Sequence, residues 1–135
     1  MSSVVSSVDP VASGQEEARA NIIEKTDEEI LAMAKPLWQG LVKASNEGKY
    51  GEFARNFSSS MALAMINVVA GHQFANSELA RSLSEDFDSL GIIRRGEHVT
   101  VLYRQRSTKK QGEWLGRLVL GYEDKAIRIF GASIF

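Results

Sequence analysis

Few side chains in this 135-residue chain combine reactive chemistry with a spacing that enzymes use. A buried carboxylate or histidine can act as a base, and a tyrosine or a protonated acid can donate a hydrogen bond to a substrate. Tyr103 and His72 are the best catalytic candidates, but neither belongs to a recognisable catalytic pattern. The absence of such a pattern weighs against an enzyme without excluding one. The side chains considered are Tyr50, His72, Asp86, Asp88, His98 and Tyr103.

Metal and cofactor sites are not predicted. The two histidines, His72 and His98, are far apart and show neither HxH nor HxxE spacing, so no transition-metal site is expected. The chain has no cysteine, which excludes disulfides, thiol catalysis and cysteine-ligated metals. Gly91 and Gly96 are too widely spaced for a phosphate-binding loop. We therefore expect no cofactor.

Composition limits the class of partner. The formal net charge is −1, which gives no electrostatic reason to expect nucleic acid or an anionic membrane as a partner. No apolar run approaches the ~18 residues of a transmembrane helix. The first ten residues have no basic segment and serines interrupt their apolar residues, so no secretory signal is expected. A cytoplasmic protein is the default expectation.

Three segments in the last third of the chain have the pattern of antiparallel β-strands. His98–Arg106 alternates between apolar and polar residues, and Glu113–Tyr122 and Ala126–Phe135 are rich in strand-forming residues. Polar turns are expected at Thr108–Gly112 and Glu123–Lys125. Glycines within this region predict bulges or bends, and hence a strongly curved sheet.

A register can be derived by asking which pairing keeps the apolar positions on one face. Pairing Tyr103 with Leu118 and Tyr122 with Ile127 produces one continuous apolar surface. We interpret this surface as the face that packs against helices. It comprises Val99, Val101, Tyr103, Leu118, Leu120, Tyr122, Ile127 and Ile129.

The opposite face of the sheet is also apolar, with arginines at its border. A sheet face that meets only water is polar at nearly every position, although single exposed apolar residues are common. Apolar positions recur on all three strands and arginine is enriched at interfaces, so we expect a homodimer interface here. Its expected residues are Leu102, Arg104, Leu115, Arg117, Val119, Arg128, Phe130 and Ile134.

The N-terminal half predicts helices that can cover the inner face. Residues 1–15 are rich in serine and valine and are expected to form a loose tail, which leaves residues 16–135 as a single α+β domain. Thr26–Glu29 has the capping-box pattern that starts a helix. Apolar residues then recur at helical spacing, and Gly48 is placed to end the helix.

Two further helices are expected before the sheet. The aromatic segment Tyr50–Phe57 places its rings on one face of a short helix. A third helix is expected from Asn76 or Ser77 to Gly91, because apolar residues recur at helical spacing there. Residues 58–72 fit either a helix or a short strand, and the sequence does not decide between them.

The order of these elements resembles the nuclear-transport-factor-2-like superfamily, a cone-shaped, cystatin-like α+β fold. The resemblance is carried by the segment Gly48–Phe57, by Met61, by the helix closed at Leu90 and Gly91, and by the three strands. The resemblance covers residues 26–135, and the pattern is similar to that of small bacterial members of unassigned function. It implies a conical cavity between the helices and the sheet, and often a homodimer through the outer sheet face. The chain has fewer obvious strands than the members of the superfamily that have the most strands.

Three functions are compatible with this interpretation. The first is a non-enzymatic homodimer that holds a small apolar molecule or a partner segment in the cone. The second is an isomerase or dehydratase that uses Tyr103 with His72 or a carboxylate. The third is a purely structural dimerisation module. The expected ligand pocket is lined by Trp38, Leu41, Tyr50, Phe53, Phe57, Met61 and Tyr103.

Overall fold

The computed structural model describes residues 21–51, 53–62 and 78–135, with the backbone alone at Phe53. These residues form an α+β fold in which helical segments lie beside a four-stranded antiparallel sheet. Within these ranges, no helix has the length and apolar character needed to cross a lipid bilayer. The expected tail, His72 and most of residues 58–72 lie outside the described residues.

The sheet is a meander in which each strand pairs with the next strand along the chain. The three strands expected from the sequence are confirmed, and one further strand precedes them. This additional strand takes the first edge of the sheet. The strands are β1 (Asp88–Arg95), β2 (His98–Gln105), β3 (Trp114–Glu123) and β4 (Ala126–Ile134).

Tight turns close two of the three hairpins. Gly96, between β1 and β2, has a φ of +62°. Asp124 and Lys125, between β3 and β4, have φ values of +54° and +67°. Two consecutive residues with positive φ are typical of the type I′ turn, whose twist matches that of the paired strands. The predicted turn at Glu123–Lys125 is therefore confirmed.

The long helix α1 (Asp27–Glu47) begins and ends as the sequence predicts. The Thr26 hydroxyl accepts from the Glu29 amide at 3.2 Å, and the Glu29 carboxylate accepts from the Thr26 amide at 2.9 Å. Gly48 follows with a left-handed φ of +67°, a conformation that glycine adopts without steric cost. Pro36 lies inside the helix.

The aromatic segment after α1 forms a shorter helical element than expected, a 3₁₀ helix at Phe53–Asn56. Ser58 then starts a helical turn at residues 59–62, and its hydroxyl accepts from the Met61 amide at 3.1 Å. This favours the helical alternative for the first residues of the 58–72 segment. The rest of that segment lies outside the described residues.

The prediction of a third helix ending at Gly91 is wrong in the described residues. Leu79–Arg81 forms one 3₁₀ turn, and Asp88–Arg95 is strand β1. Leu83 is nevertheless buried, and Leu79 and Phe87 pack against the core. The helical spacing of these residues thus reflects burial of an irregular segment and not a helix.

The register between β2 and β3 differs by two residues from the predicted one. Val101 pairs with Leu118, and Tyr103 pairs with Gly116. Side chains alternate with a period of two, so a shift of two leaves every side chain on its predicted face. The expected core residues Val99, Val101, Tyr103, Leu118, Leu120 and Ile129 are accordingly buried.

An irregularity between β3 and β4 changes which face the end of the chain occupies. Leu120 pairs with Ile129 as predicted, but the register shifts between Val119 and Leu120. Residues of β4 beyond this point change face. Ile134 pairs with Gly116 and packs against the core. Its assignment to the outer face was therefore wrong.

Candidate functional site

Trp38 lies against the inner face of the sheet, where the ligand pocket was expected. Its ring stacks on Tyr103 with centroids 5.1 Å apart and planes inclined by 22°. Phe87 meets the Tyr103 ring edge-on, also at 5.1 Å. A β-carbon at Gly116 would lie 2.6 Å from Cζ2 of Trp38. The aromatic stack therefore depends on a glycine in the strand beneath it.

Gln105 fixes the orientation of this tryptophan. Its side-chain oxygen accepts a hydrogen bond from the Trp38 indole N–H at 2.8 Å. Its amide nitrogen donates to the carbonyl oxygens of Ser84 at 2.7 Å and Arg106 at 2.9 Å. Gln105 is fully buried, and these bonds satisfy it. Sequence reasoning missed this residue, although it continues the inward alternation of β2.

The Tyr103 hydroxyl is the polar group of this aromatic stack whose hydrogen bonding is not accounted for by the described residues. It has no hydrogen-bond partner in the part of the chain that the structure describes, and the residue is 2% exposed. Burial raises the pKa of Tyr103 to about 12, because the phenolate is poorly solvated there. The hydroxyl stays protonated at neutral pH, so it can donate a hydrogen bond but cannot act as a base.

The other residues of the expected pocket lie around this stack. Phe57 is buried, and Leu41 and Met61 are partly buried against the same core. Tyr50 is half-buried, and burial raises the pKa of its hydroxyl. The side chain of Phe53 lies outside the described residues. Binding of a ligand among these side chains stays a prediction.

The acidic candidates Asp86 and Asp88 lie before and at the start of β1, and not on a helix as expected. Both are exposed. Arg106 donates to the Asp88 carboxylate at 2.7 Å, and this hydrogen bond holds the pKa of Asp88 below its usual value. The Asp86 carboxylate lies 3.9 Å from the same arginine. Exposed carboxylates that face arginines in this way are poor general bases.

The described side chains do not assemble a metal site. Within the described ranges, no three residues of the types histidine, cysteine, aspartate and glutamate are grouped so that they could hold a metal ion. The acidic side chains of Asp86 and Asp88 face arginines, which offer no ligand to a cation.

A second candidate site is a groove on the outer face of the sheet. It has a volume of about 460 Å³ and crosses all four strands. Four of its lining residues are apolar, and three are basic or imidazole side chains. The lining consists of Ile93 and Arg95 of β1, His98, Thr100 and Leu102 of β2, Arg117 and Val119 of β3, and Phe130 of β4.

Packing over a glycine shapes one side of this groove. His98 and Phe130 meet edge-to-face with ring centroids 4.5 Å apart. A β-carbon at Gly121 would lie 2.7 Å from Cδ2 of His98 and 3.1 Å from Cε1 of Phe130, so the two rings lie directly over this glycine. Gly91 and Gly131 pair with outward-facing residues of neighbouring strands. Because glycine has no side chain, the surface of the outer face is recessed at these positions.

Two arginines of the groove have no acidic partner among the described residues. Arg95 forms no ion pair there, and the Arg117 guanidinium lies 5.2 Å from the centre of the Phe135 ring. Arg104, on the same face, contacts two carboxylates at 3.6 and 3.5 Å. The groove thus combines an apolar floor with uncompensated positive charge.

The sequence predicted the face on which this groove lies but not the groove. Leu102, Arg117, Val119 and Phe130 were expected on the outer face and line the groove. Arg104, Leu115 and Arg128 share the face but lie outside the groove lining. Ile93 and Arg95 were missed because β1 was not recognised as a separate strand.

The chain matches no model of a known protein family, no curated protein and no solved structure at a significant level. Membership of the nuclear-transport-factor-2-like superfamily therefore stays a prediction from the order of the elements.

Proposed function

We propose that the protein is a non-enzymatic binding domain that forms a homodimer through the outer face of its sheet, in a fold of the nuclear-transport-factor-2-like type. One observation carries the proposal. The large apolar side chains that are exposed in the described part of the chain belong to the sheet or directly follow it, and none belongs to a helix. They are Leu90 (49% exposed), Ile93 (43%), Leu115 (39%) and Phe135 (64%).

The distribution of these side chains supports a protein interface. Single exposed apolar residues are common, but a contiguous apolar surface bordered by arginines is typical of an interaction site. Leu102, Val119 and Phe130 connect the exposed residues across the strands and are themselves only half-buried. A twofold axis would pair this surface with its own copy, which is the commonest arrangement in homo-oligomers.

Phe130→Asp tests the interface. In the dimer this substitution removes a large buried ring and requires a carboxylate to be desolvated, which together cost ~3–5 kcal/mol. We therefore expect the dimer dissociation constant to rise by at least about 100-fold, measured by sedimentation velocity and by light scattering after size exclusion.

Two comparisons keep this test specific. Gln39→Asp introduces the same charge on the exposed side of α1 and is expected to leave the dimer intact. Val119→Asp places the charge on a neighbouring strand of the outer face and is expected to act like Phe130→Asp. Circular dichroism reports whether each variant is folded. A folded Phe130→Asp protein that remains dimeric would refute the outer-face interface.

The Tyr103 hydroxyl supports a second candidate function, binding of a small molecule on the inner side of the sheet. A buried hydroxyl without a partner is costly, and a ligand acceptor would remove that cost. Native mass spectrometry of freshly purified protein tests this function. A ligand mass that is present in the wild type and reduced in Tyr103→Phe would support it, and bare wild-type protein would contradict it.

An enzymatic role has weaker support. A dehydratase or isomerase needs a base near its hydrogen-bond donor. No carboxylate or imidazole of the described residues is hydrogen-bonded to the Tyr103 hydroxyl. The structure thus provides a donor for this chemistry without a described base beside it.

A further inference from the structure

Among the described residues that line the outer-face groove, His98 is the one whose charge changes near neutral pH. Histidine has an ordinary pKa of about 6.5, whereas arginine stays charged at every pH at which proteins are folded. The chain contains two histidines and no cysteine. A change of pH between about 5.5 and about 8 therefore alters the charge of the groove lining at this imidazole.

The His98 ring is packed into the groove. It meets the Phe130 ring edge-on with centroids 4.5 Å apart, and its Cδ2 atom lies over Gly121. The residue is only half-buried in the single chain, so water still reaches it. A second copy that covers Phe130 would also cover the imidazole that contacts it.

The cations near His98 are fixed arginines. Arg95 lies directly opposite on β1. Gly121, on which the imidazole packs, pairs with Arg128 of β4. Neither arginine forms an ion pair within the described part of the chain. Arg117 lines the same groove farther along the sheet. Protonation of His98 would thus add a charge to a surface that is already positive.

Two carboxylates lie at this end of the sheet, and neither forms an ion pair with His98. Glu97 precedes it in the exposed turn. Glu123 accepts from the Ser59 amide at 2.9 Å and from the Ser59 hydroxyl at 3.1 Å. Among the described residues, a protonated His98 therefore has no acidic partner in contact, and water must solvate its charge.

We propose that His98 makes the outer-face homodimer sensitive to pH, so that the dimer forms when the imidazole is neutral and dissociates when it is protonated. This inference rests on the proposed function, because it assigns His98 to the dimer interface. Covering a charged imidazole removes its water without supplying a partner, and a twofold interface covers one such ring from each copy. The dimer thus binds protons less well than the separate chains, and its dissociation constant rises as the pH falls.

Sedimentation velocity at constant ionic strength measures the dimer dissociation constant at about pH 8 and at about pH 5.5. An ordinary histidine is nearly neutral at the higher pH and about nine-tenths protonated at the lower pH. When only neutral rings enter the interface, the competent fraction of each chain falls by up to about tenfold. We therefore expect the dissociation constant to rise by at least about tenfold.

His98→Gln tests whether this imidazole is responsible. Glutamine keeps a polar side chain that has no charge at either pH. We expect the variant to dimerise at about pH 8 with a dissociation constant within about threefold of the wild type, and to keep that value at about pH 5.5. His72→Gln is the matched control, because it removes the other histidine and is expected to keep the wild-type response.

A count of protons tests the inference without a substitution at the interface. Dilution calorimetry of His72→Gln, in which His98 is the only histidine, is repeated in buffers of different ionisation enthalpy. At about pH 6 we expect dissociation to take up about 0.5 protons or more per chain. An uptake of zero would contradict the inference, even if His98→Gln itself failed to dimerise.

The outcomes separate this inference from the proposed function. A wild-type dimer with the same dissociation constant at both pH values would overturn the inference and leave the outer-face dimer standing. A pH response that persists in His98→Gln would also overturn it, because the proton would then bind elsewhere. Protein that is monomeric at both pH values would overturn the proposed dimer together with the inference.

Discussion

At the scale of single residues, side-chain volume determines how α1 packs against the sheet. Trp38 is the largest fully buried side chain and lies over a position with no side chain, Gly116. The same glycine pairs with Tyr103, on which the indole stacks. A glycine in a strand interior normally weakens the strand, so its presence here is explained by the space that the indole occupies.

Gly116→Ala should therefore destabilise the protein. The added β-carbon would lie 2.6 Å from the indole, and neither the backbone nor the buried ring can move freely. Overpacking of this kind costs ~1–3 kcal/mol. Urea unfolding followed by tryptophan fluorescence measures the loss.

Gly91→Ala is the matched control for this prediction. Gly91 also lies in a strand, but a β-carbon there would have no atom within 4 Å. Its replacement is expected to change the free energy of unfolding by less than ~1 kcal/mol, through the unfolded chain alone. Equal losses in the two variants would contradict the packing explanation.

The buried Tyr103 hydroxyl predicts a loss of stability at high pH. Its pKa is raised from 10.0 to about 12 in the folded protein. The folded state therefore holds this proton to higher pH than the unfolded state does, so stability is full below pH ~10 and falls as the pH rises to ~12. The loss amounts to roughly 3 kcal/mol at most.

Tyr103→Phe should lack this component of the alkaline transition. At neutral pH we expect Tyr103→Phe to be more stable than the wild type by ~1–3 kcal/mol, because the substitution removes the desolvation cost of a hydroxyl that has no partner among the described residues. Chemical unfolding at pH 7 and at several values between about 10 and about 12 makes the comparison. A parallel decline of both proteins would assign the alkaline loss to other groups.

At the scale of elements, local signals were sufficient where one short segment determines the structure. The capping box of Thr26 and Glu29, the left-handed Gly48 and the β3–β4 turn each depend on two or three neighbouring residues. Their predictions are confirmed because no distant contact competes with them. The alternation of β2, likewise, was readable within eight residues.

The predicted third helix failed because distant contacts overrode a local pattern. Leu79, Leu83 and Phe87 contact the core without forming a helix, so their spacing carried a misleading signal. Asn46 holds the intervening segment through both backbone groups of Leu83, at 2.7 and 2.8 Å. Strand β1 is then defined by pairing with β2, which no local propensity encodes.

The two-residue error in register has a similar origin. The loop between β2 and β3 has no tight-turn signal that sets its length, and apolar alternation is unchanged by a shift of two. What selects the observed register is the match of Tyr103 with Gly116 under the Trp38 ring. That match joins three separate segments and was not visible in any one of them.

At the scale of the whole molecule, both faces of the sheet carry apolar side chains. Helix α1 packs on the inner face, where most of the expected members are buried and Tyr122 and Ile127 are partly buried. The outer face retains exposed apolar side chains and a groove lined by arginines. The sequence indicated both faces, because the alternation of side chains along each strand assigns residues to a face even when the register of pairing is unknown. It did not predict the groove itself, whose edge at Ile93 and Arg95 requires strand β1.

Self-association through the outer face should couple stability to protein concentration. Only the folded chain presents the apolar outer face, so the proposed dimer would stabilise the native state by mass action. Between about 2 and about 200 µM protein, we expect the thermal midpoint to rise by roughly 3–6 °C. Phe130→Asp is expected to show a midpoint that does not change with concentration. Differential scanning calorimetry of both proteins over this range makes the measurement, with reversibility checked by a second scan. A wild-type midpoint as constant as that of the variant would exclude a dimer in this concentration range. Ile93, Leu102 and Phe130 would then face solvent in a monomer.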